Sequence, residues 1–421
     1  MRVPLEYGRG TVDLDIADDR LAGIVEPKSV EQLPDVRRAT EESLRQPIEA
    51  PPLGELLLGR RSVLVLTVDN TRPSPTPLLE PILDACDEAG AEATIGIAIG
   101  RHRQMTADEV TEHLGREIAR RRSVVQHDPF DDAAHEDRGR TSRGTPIRIN
   151  RMAFGQDLVL GVGIVEPTYL SGFTGGRKIV MPGIAHHSTI DANHYLSVDP
   201  HTRIGVLDGN PMHDDMMEVL ERVPLAWITN AVVGPDDEVV AIFSGDPRTA
   251  HGEACARSAE IYACDGARAK IVIASPGGAP YDVCMVQTKK AIVPATDMVE
   301  EGGAVILVGE NPERWGDEEA FEEWMTQLEP AEAVARAEER DRFSLGAHGA
   351  RILAQPLVEK HAGVVLLTSQ AMCDAAEDSF LQATTSMDEA LAWARAKAGD
   401  DATVAVIRKA RRVIVGDDWA S

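Results

Sequence analysis

Lys178 is the residue whose neighbours single it out for covalent chemistry. It follows Gly172, Gly175 and Gly176 and precedes Gly183, inside GVGIVEPTYLSGFTGGRKIVMPGIAHHSTIDANH, the stretch from Gly161 to His194. The chain holds eight lysines against thirty-five arginines, and a lysine amine is a nucleophile that a guanidinium cannot replace. Glycines in such a turn let backbone approach a ligand closely. Two familiar phosphate motifs are excluded. A P-loop needs a glycine before its lysine and a serine or threonine after it, whereas Arg177 precedes Lys178 and Ile179 follows. The dinucleotide fingerprint begun by Gly161 and Gly163 meets Glu166 where its third glycine belongs, and Pro167 disturbs the helix that should be under way. On composition alone a solvated lysine in a surface turn accounts for the segment equally well.

Other residues with chemical potential stand at strand ends. His102 lies in a Gly-Arg-His-Arg turn, where a neutral imidazole can act as a general base near neutral pH, although a turn histidine more often only caps or hydrogen-bonds. Asp69 and Arg72 fall in DNTRP, just beyond an apolar run. Gln287 and Lys290, in DVCMVQTKK, are three apart and so share one helix face. His186 and His187 are adjacent and therefore point in different directions, and no HExxH spacing supports zinc, so a structural role is expected of both. The five cysteines show no CxxC spacing and read as ordinary buried thiols.

The elements that position these residues read as βα units. Ser62–Thr67 is a short apolar run of the kind buried in parallel sheets. Ser74 is expected to cap the helix that follows, with Pro75 at its first position, and that helix is expected to end at Gly90. A second strand, 93–99, leads to His102, and Thr106 with Glu109 forms a capping box for a helix ending near Arg122. A third strand is expected at 123–127, and the charged segment 128–144 as a solvated loop. Two successive βα units imply a parallel sheet with ligands beyond its carboxyl edge, where Arg72 and His102 both sit. Further on, 211–219 predicts a helix, 226–243 two strands, and 246–263 a helix capped by Asp246. A second βα series begins at 270–274 and continues at 304–308 and 364–368. The expected division is an N-terminal α/β domain, 1–266, and a C-terminal α/β domain, 267–421.

Composition narrows the partners. A chain of 421 residues with 43% hydrophobic content supports two or three cored domains. Its net charge of −26 argues against nucleic acid or an anionic membrane as partner. A small anionic ligand would need a local positive pocket, which makes Lys178, Lys289 and Lys290 more informative than their number suggests. With no apolar run of membrane-spanning length and no signal-like N-terminus, a soluble cytoplasmic protein is expected.

Read with its flanks, EPTYLSGFTGGRKIVMPGI followed by Asn193-His194 resembles the lactate racemase family, whose enzymes use a nickel-pincer nucleotide. DNTRP, GRHR and DVCMVQTKK resemble that family as well. The resemblance implies two α/β domains with parallel or mixed sheets and an interdomain active-site cleft. It implies that Lys178, beside Gly175 and Gly176, is joined covalently to the cofactor and that His194, sixteen residues later, ligates nickel. His102 becomes one of two acid–base histidines, Arg72 a carboxylate ligand supported by Asp69, and Gln287 and Lys290 substrate-binding residues. The activity implied is inversion of a small anionic 2-hydroxy acid by hydride transfer, an isomerase reaction, with the cofactor-building enzymes as partners. This chain departs from the family at Thr168, where the second histidine belongs, and at Val286, where a tyrosine is usual. Glu166, Tyr169 or a group on the substrate can stand in for the missing imidazole, or the enzyme is an epimerase of a larger polyhydroxy acid. One-sided hydride transfer or elimination with the same cofactor is the alternative chemistry, and a silent nickel or nucleotide binder the alternative class.

Overall fold

The structure, a computed structural model, describes residues 1–318 and 320–416, and the chain forms two compact units. The unit of Ser29–Ile261 is built on a six-stranded sheet in the order Val239–Gly245, Leu225–Val233, Leu158–Val165, Ser62–Val68, Glu92–Ala98, Ser123–Gln126. Every neighbouring pair is parallel except the first, which is an antiparallel hairpin. Leu158–Val165 is buried at every position, as an inner strand covered on both faces must be.

Alternate side chains of these strands serve opposite faces. Val63, Val65, Ile95, Ile97 and Leu160 pack with Leu79 and Ile82 of the helix Thr76–Glu88. Leu64, Leu66 and Val159 pack with Val180, Met181 and Met212 on the other side. Val180 and Met181 are fully buried, which is worth roughly 1.5–3 kcal/mol for each. The chain just past Lys178 is thus fixed by the core rather than left as a surface turn.

The second unit joins Met1–Lys28 to the chain from Tyr262 onward. Its six strands are all parallel, in the order Gln382–Thr384, Gly363–Leu367, Val299–Val308, Ala269–Ala274, Val404–Ile407, Leu21–Val25. The α/β class with parallel and mixed sheets is therefore as expected, whereas the chain divides at Lys28–Ser29 and again at Ile261–Tyr262 rather than once at 266. The first 28 residues belong with the C-terminal part because Leu21–Val25 pairs with Val404–Ile407, and Val3, Leu5, Leu14 and Ile16 enter that core.

Local departures have local causes. The expected loop 128–144 contains the strand His135–Arg140, paired with Pro146–Asn150, and its charged outward residues hide the alternation. Ser74 does not cap its helix: Pro75 takes that position and the Ser74 hydroxyl donates to the His113 carbonyl at 2.6 Å. The helix from Ala107 breaks at Gly115, with φ of 83°. The Thr106–Glu109 capping box is present as read. No helix among the described residues is long and apolar enough to cross a membrane.

Candidate active site

Leu158–Val165, Ser62–Val68 and Glu92–Ala98 lie side by side and run parallel, so three segments leave the sheet at one edge. That edge is where open α/β sheets bind ligands. The first segment begins with Glu166, the second holds Asp69 and Arg72, and the third holds His102. His102 Nδ1 lies 2.6 Å from Asp69 Oδ2. A carboxylate only accepts, so Nδ1 carries the proton and Nε2 keeps the lone pair. Asp69 is buried, whereas the imidazole is 56% exposed and open to a substrate.

The Asp69 carboxylate also accepts from the Thr71 hydroxyl at 2.5 Å and the Thr71 amide at 3.2 Å. Burial alone would raise its pKa. The hydrogen bonds from His102 and the Thr71 hydroxyl and the nearby Arg72 guanidinium together outweigh that and hold the carboxyl below its ordinary value. Arg72 spends Nη1 on the Thr71 carbonyl at 3.0 Å and sets Nε 3.7 Å from Glu166 Oε1. Its Nη2 bonds no protein atom among the described residues. The structure thus gathers Asp69, Arg72 and His102, with Glu166 beside them.

Thr168 and Lys178 lie on the same glycine-rich excursion. Pro167–Thr168 pairs with Gly172–Phe173, placing half-buried Thr168 opposite Gly172. Lys178 is half-buried in the short 3-10 turn Gly176–Ile179. Gly175 and Gly176 have φ of 76° and 50°, conformations that disfavour any side chain. A Cβ at Gly175 would stand 2.5 Å from Val165 Cγ2, and one at Gly176 2.5 Å from His251 Cγ. The close approach these two glycines permit is to protein.

Three side chains hold that excursion in place. Asn230 Oδ1 accepts from the Gly176 amide at 2.8 Å. The Thr174 hydroxyl accepts from the Glu166 amide at 2.9 Å and donates to the Ile164 carbonyl at 3.0 Å. Arg177 is wholly buried, donates to the Ser171 carbonyl at 2.6 Å and lies 3.0 Å from His251 Nε2. Burial pushes its pKa down to about 10. Burial also drives His251 well below the ordinary histidine value, so Arg177 is the charge in this interior and His251 a neutral partner. None of these three was singled out from sequence. Asn230 had a signal, a polar residue interrupting the buried strand LAWITNAVV; Arg177 had none, because the His251 it meets lies 74 residues along the chain.

The helix His187–His194 carries the expected metal ligand at its last position. His186 caps it, its Nδ1 accepting from the Ser188 amide at 3.2 Å, which is the structural role expected. Asn193 donates to Asp215 Oδ2 at 2.8 Å and locks the inner face. His194 Nδ1 lies 2.9 Å from the Ile190 carbonyl. The carbonyl can only accept, so the lone pair of His194 is on Nε2, the arrangement a metal-ligating histidine uses.

Gln287 and Lys290 belong to the other unit. The expected helix there is two short pieces, Met285–Thr288 and the 3-10 turn Lys289–Ala291. Lys290 Nζ still reaches Gln287 Oε1, donating at 2.5 Å. Lys289 is buried, paired with Glu318 and 4.5 Å from the Phe321 ring centroid, so its charge is used within the fold.

An imidazole oriented by a buried carboxylate, beside an arginine at the carboxyl edge of a parallel sheet, defines an α/β enzyme of acid–base chemistry. The model of the lactate racemase N-terminal domain matches residues 7–205, and that of the C-terminal domain 264–415. A lactate racemase of Lactiplantibacillus plantarum is 30% identical over 98% of this chain and 99% of its own length. One of Thermoanaerobacterium thermosaccharolyticum is 29% identical over 98% of this chain and 99% of its own. The solved structure of that organism's lactate racemase apoprotein matches with a TM-score of 0.93, covering 99% of this chain and 100% of that one. A Thermotoga maritima protein, 20% identical with a TM-score of 0.67, shares the fold. The chain belongs to the lactate racemase family, and it is a racemase, an enzyme of the isomerase class.

Proposed function

We propose that this protein interconverts the enantiomers of a small 2-hydroxy acid, lactate being the substrate its relatives are named for, and that it does so with a nickel-pincer nucleotide. The observation that carries the reading is the Asp69–His102 pair, 2.6 Å apart, beside an arginine with one nitrogen unspent. The substrate carboxylate goes to Arg72 Nη2, a charge-assisted bond of about 1.5–3 kcal/mol. His102 Nε2 takes the hydroxyl proton of one enantiomer. Asp69 keeps the ring in the required tautomer and steadies the imidazolium that forms. Gln287 and Lys290, already hydrogen-bonded to each other, are assigned to the substrate as well.

Lys178 is the residue that would hold the cofactor covalently, with Gly175 and Gly176 shaping its turn, and His194 the one that would ligate nickel through Nε2. The donor set fits. Lys178 offers the amine and the His194 tautomer offers the lone pair. Among the described residues no three His, Cys, Asp or Glu side chains are grouped to hold a metal ion, and in this reading the cofactor would bring the other donors. When bound, that group accepts and returns the hydride of the substrate carbon. The enzymes that build it are the expected partners, and the cytoplasm the expected compartment.

Intact mass of protein co-produced with the cofactor-building enzymes tests the reading. The wild-type chain should gain an adduct that Lys178→Ala lacks. A wild-type chain without adduct would end the cofactor assignment, and an adduct retained by the variant would move it off Lys178.

A further inference from the structure

Inversion sets a condition that His102 alone does not meet. With the carboxylate anchored and the transferred hydrogen pointing one way, the two enantiomers exchange the places of hydroxyl and side chain. A proton must therefore be exchanged on both sides of the anchoring arginine. The threonine hydroxyl at 168 has no useful pKa for this near neutrality.

We infer that the Glu166 carboxylate exchanges the proton of the second enantiomer, on the side of Arg72 away from His102. The inference rests on the racemase reading above. Its first support is the order of strands: Glu166 follows Leu158–Val165, Arg72 follows the middle strand Ser62–Val68, and His102 follows Glu92–Ala98. Neighbouring strands are about 4.8 Å apart, so the outer two are separated by roughly 10 Å with Arg72 between them. A small hydroxy acid held on Arg72 has room for one group on each side.

The second support is local. Glu166 stands between the strands Leu158–Val165 and Pro167–Thr168, where the proline that follows favours extended backbone, and residues two apart in extended chain issue from the same face. The carboxylate at 166 thus leaves the backbone on the face that carries position 168, with a longer reach. Its backbone is fixed at both ends, the amide donating to the Thr174 hydroxyl at 2.9 Å and the carbonyl accepting from the Thr174 amide at 2.9 Å. The side chain is 9% exposed with Oε1 3.7 Å from Arg72 Nε, which ties it to the arginine that holds the substrate.

The step balances as follows. The O–H bond breaks and its proton passes to a Glu166 oxygen, while the C–H bond breaks and its hydrogen would leave with the electron pair as hydride, for which the bound cofactor would supply the acceptor. The alcohol becomes a 2-keto acid, oxidised by two electrons. The keto group then turns about its bond to the anchored carboxylate, so that its oxygen faces His102 and its other face receives the hydride, and His102, protonated at Nε2 from water beforehand, gives the oxygen its proton. Exchange with water restores both groups.

Glu166→Gln preserves the side chain's size but cannot take a proton. In single turnovers of cofactor-loaded enzyme it should slow oxidation of one lactate enantiomer by about 10²–10⁴-fold and leave the other within about threefold. His102→Ala should slow the opposite enantiomer. Adding Thr168→His to Glu166→Gln should recover part of the lost rate. Calorimetric binding of lactate to cofactor-free protein should change little in Glu166→Gln, because Arg72 remains. Equal slowing of both enantiomers, or binding weakened in step with rate, would show that Glu166 acts only by positioning Arg72. Loaded wild-type enzyme that oxidises neither enantiomer would overturn the racemase reading itself, and with it this role.

Discussion

Asp69 illustrates how one buried carboxylate sets the chemistry of its neighbours. It stays ionised although buried, because His102, Thr71 and Arg72 favour the charged form, and in that form it fixes His102 with Nε2 outward. Asn at position 69 would offer a neutral amide and favour the other tautomer. Asp69→Asn should therefore lower kcat by about 10²–10⁴-fold with little change in KM. Steady-state kinetics decides it: an unchanged kcat would remove Asp69 from the account. Arg72→Ala, which deletes a contact made equally in ground and transition states, should instead act chiefly on KM.

At the scale of elements, the glycine-rich excursion is held by packing more than by its own turn chemistry. Gly176→Ala would force a Cβ to 2.5 Å from the His251 ring at a φ of 50°. The left-handed conformation costs roughly 1–2 kcal/mol for a side chain, and overpacking typically adds about 1–3 kcal/mol. Urea unfolding should show a loss of about 2 kcal/mol or more, and an unchanged midpoint would mean that the loop is not packed as described. Much of this edge was legible in the sequence: apolar β-branched runs announce Ser62–Val68 and Glu92–Ala98, and Asp69, Arg72 and His102 follow them directly. What was not legible depends on distant pairing. Asn230 meets Gly176 and Arg177 meets His251 across more than fifty positions, and no periodicity reports such meetings. The same holds for Leu21–Val25, whose partner Val404–Ile407 lies at the other end of the chain. The charged strand His135–Arg140 was lost for a different reason, since polar side chains on its outer face imitate a loop.

For the whole molecule, acid should destabilise through buried histidines. Burial, the first cause in each case, pushes His127, His186 and His348 down to about 4 and His213 to about 3. Unfolded, each titrates near 6.5. Between those values the unfolded chain binds more protons than the folded one, so stability is intact above about pH 6.5 and is lost as pH falls towards 4. The loss is at most about 1.4 kcal/mol per pH unit for each histidine. Acid also relieves repulsion within a chain of net charge −26, but exposed charges are screened beyond about 8 Å at physiological salt, so the buried groups should prevail. Urea midpoints at pH 7.0, 5.5 and 4.5 should fall steadily; a midpoint that rose on acidification would contradict this.

In the function proposed above, proton-exchanging groups stand around a carboxylate-binding arginine so that a hydroxy acid can be inverted. Chiral chromatography of lactate incubated with cofactor-loaded enzyme, started separately from each pure enantiomer, tests this most directly. Both reactions should converge on equal amounts of the two enantiomers, with no keto acid accumulating beyond the enzyme concentration. An enantiomer that persists unchanged, or a keto acid that builds up in its place, would contradict it.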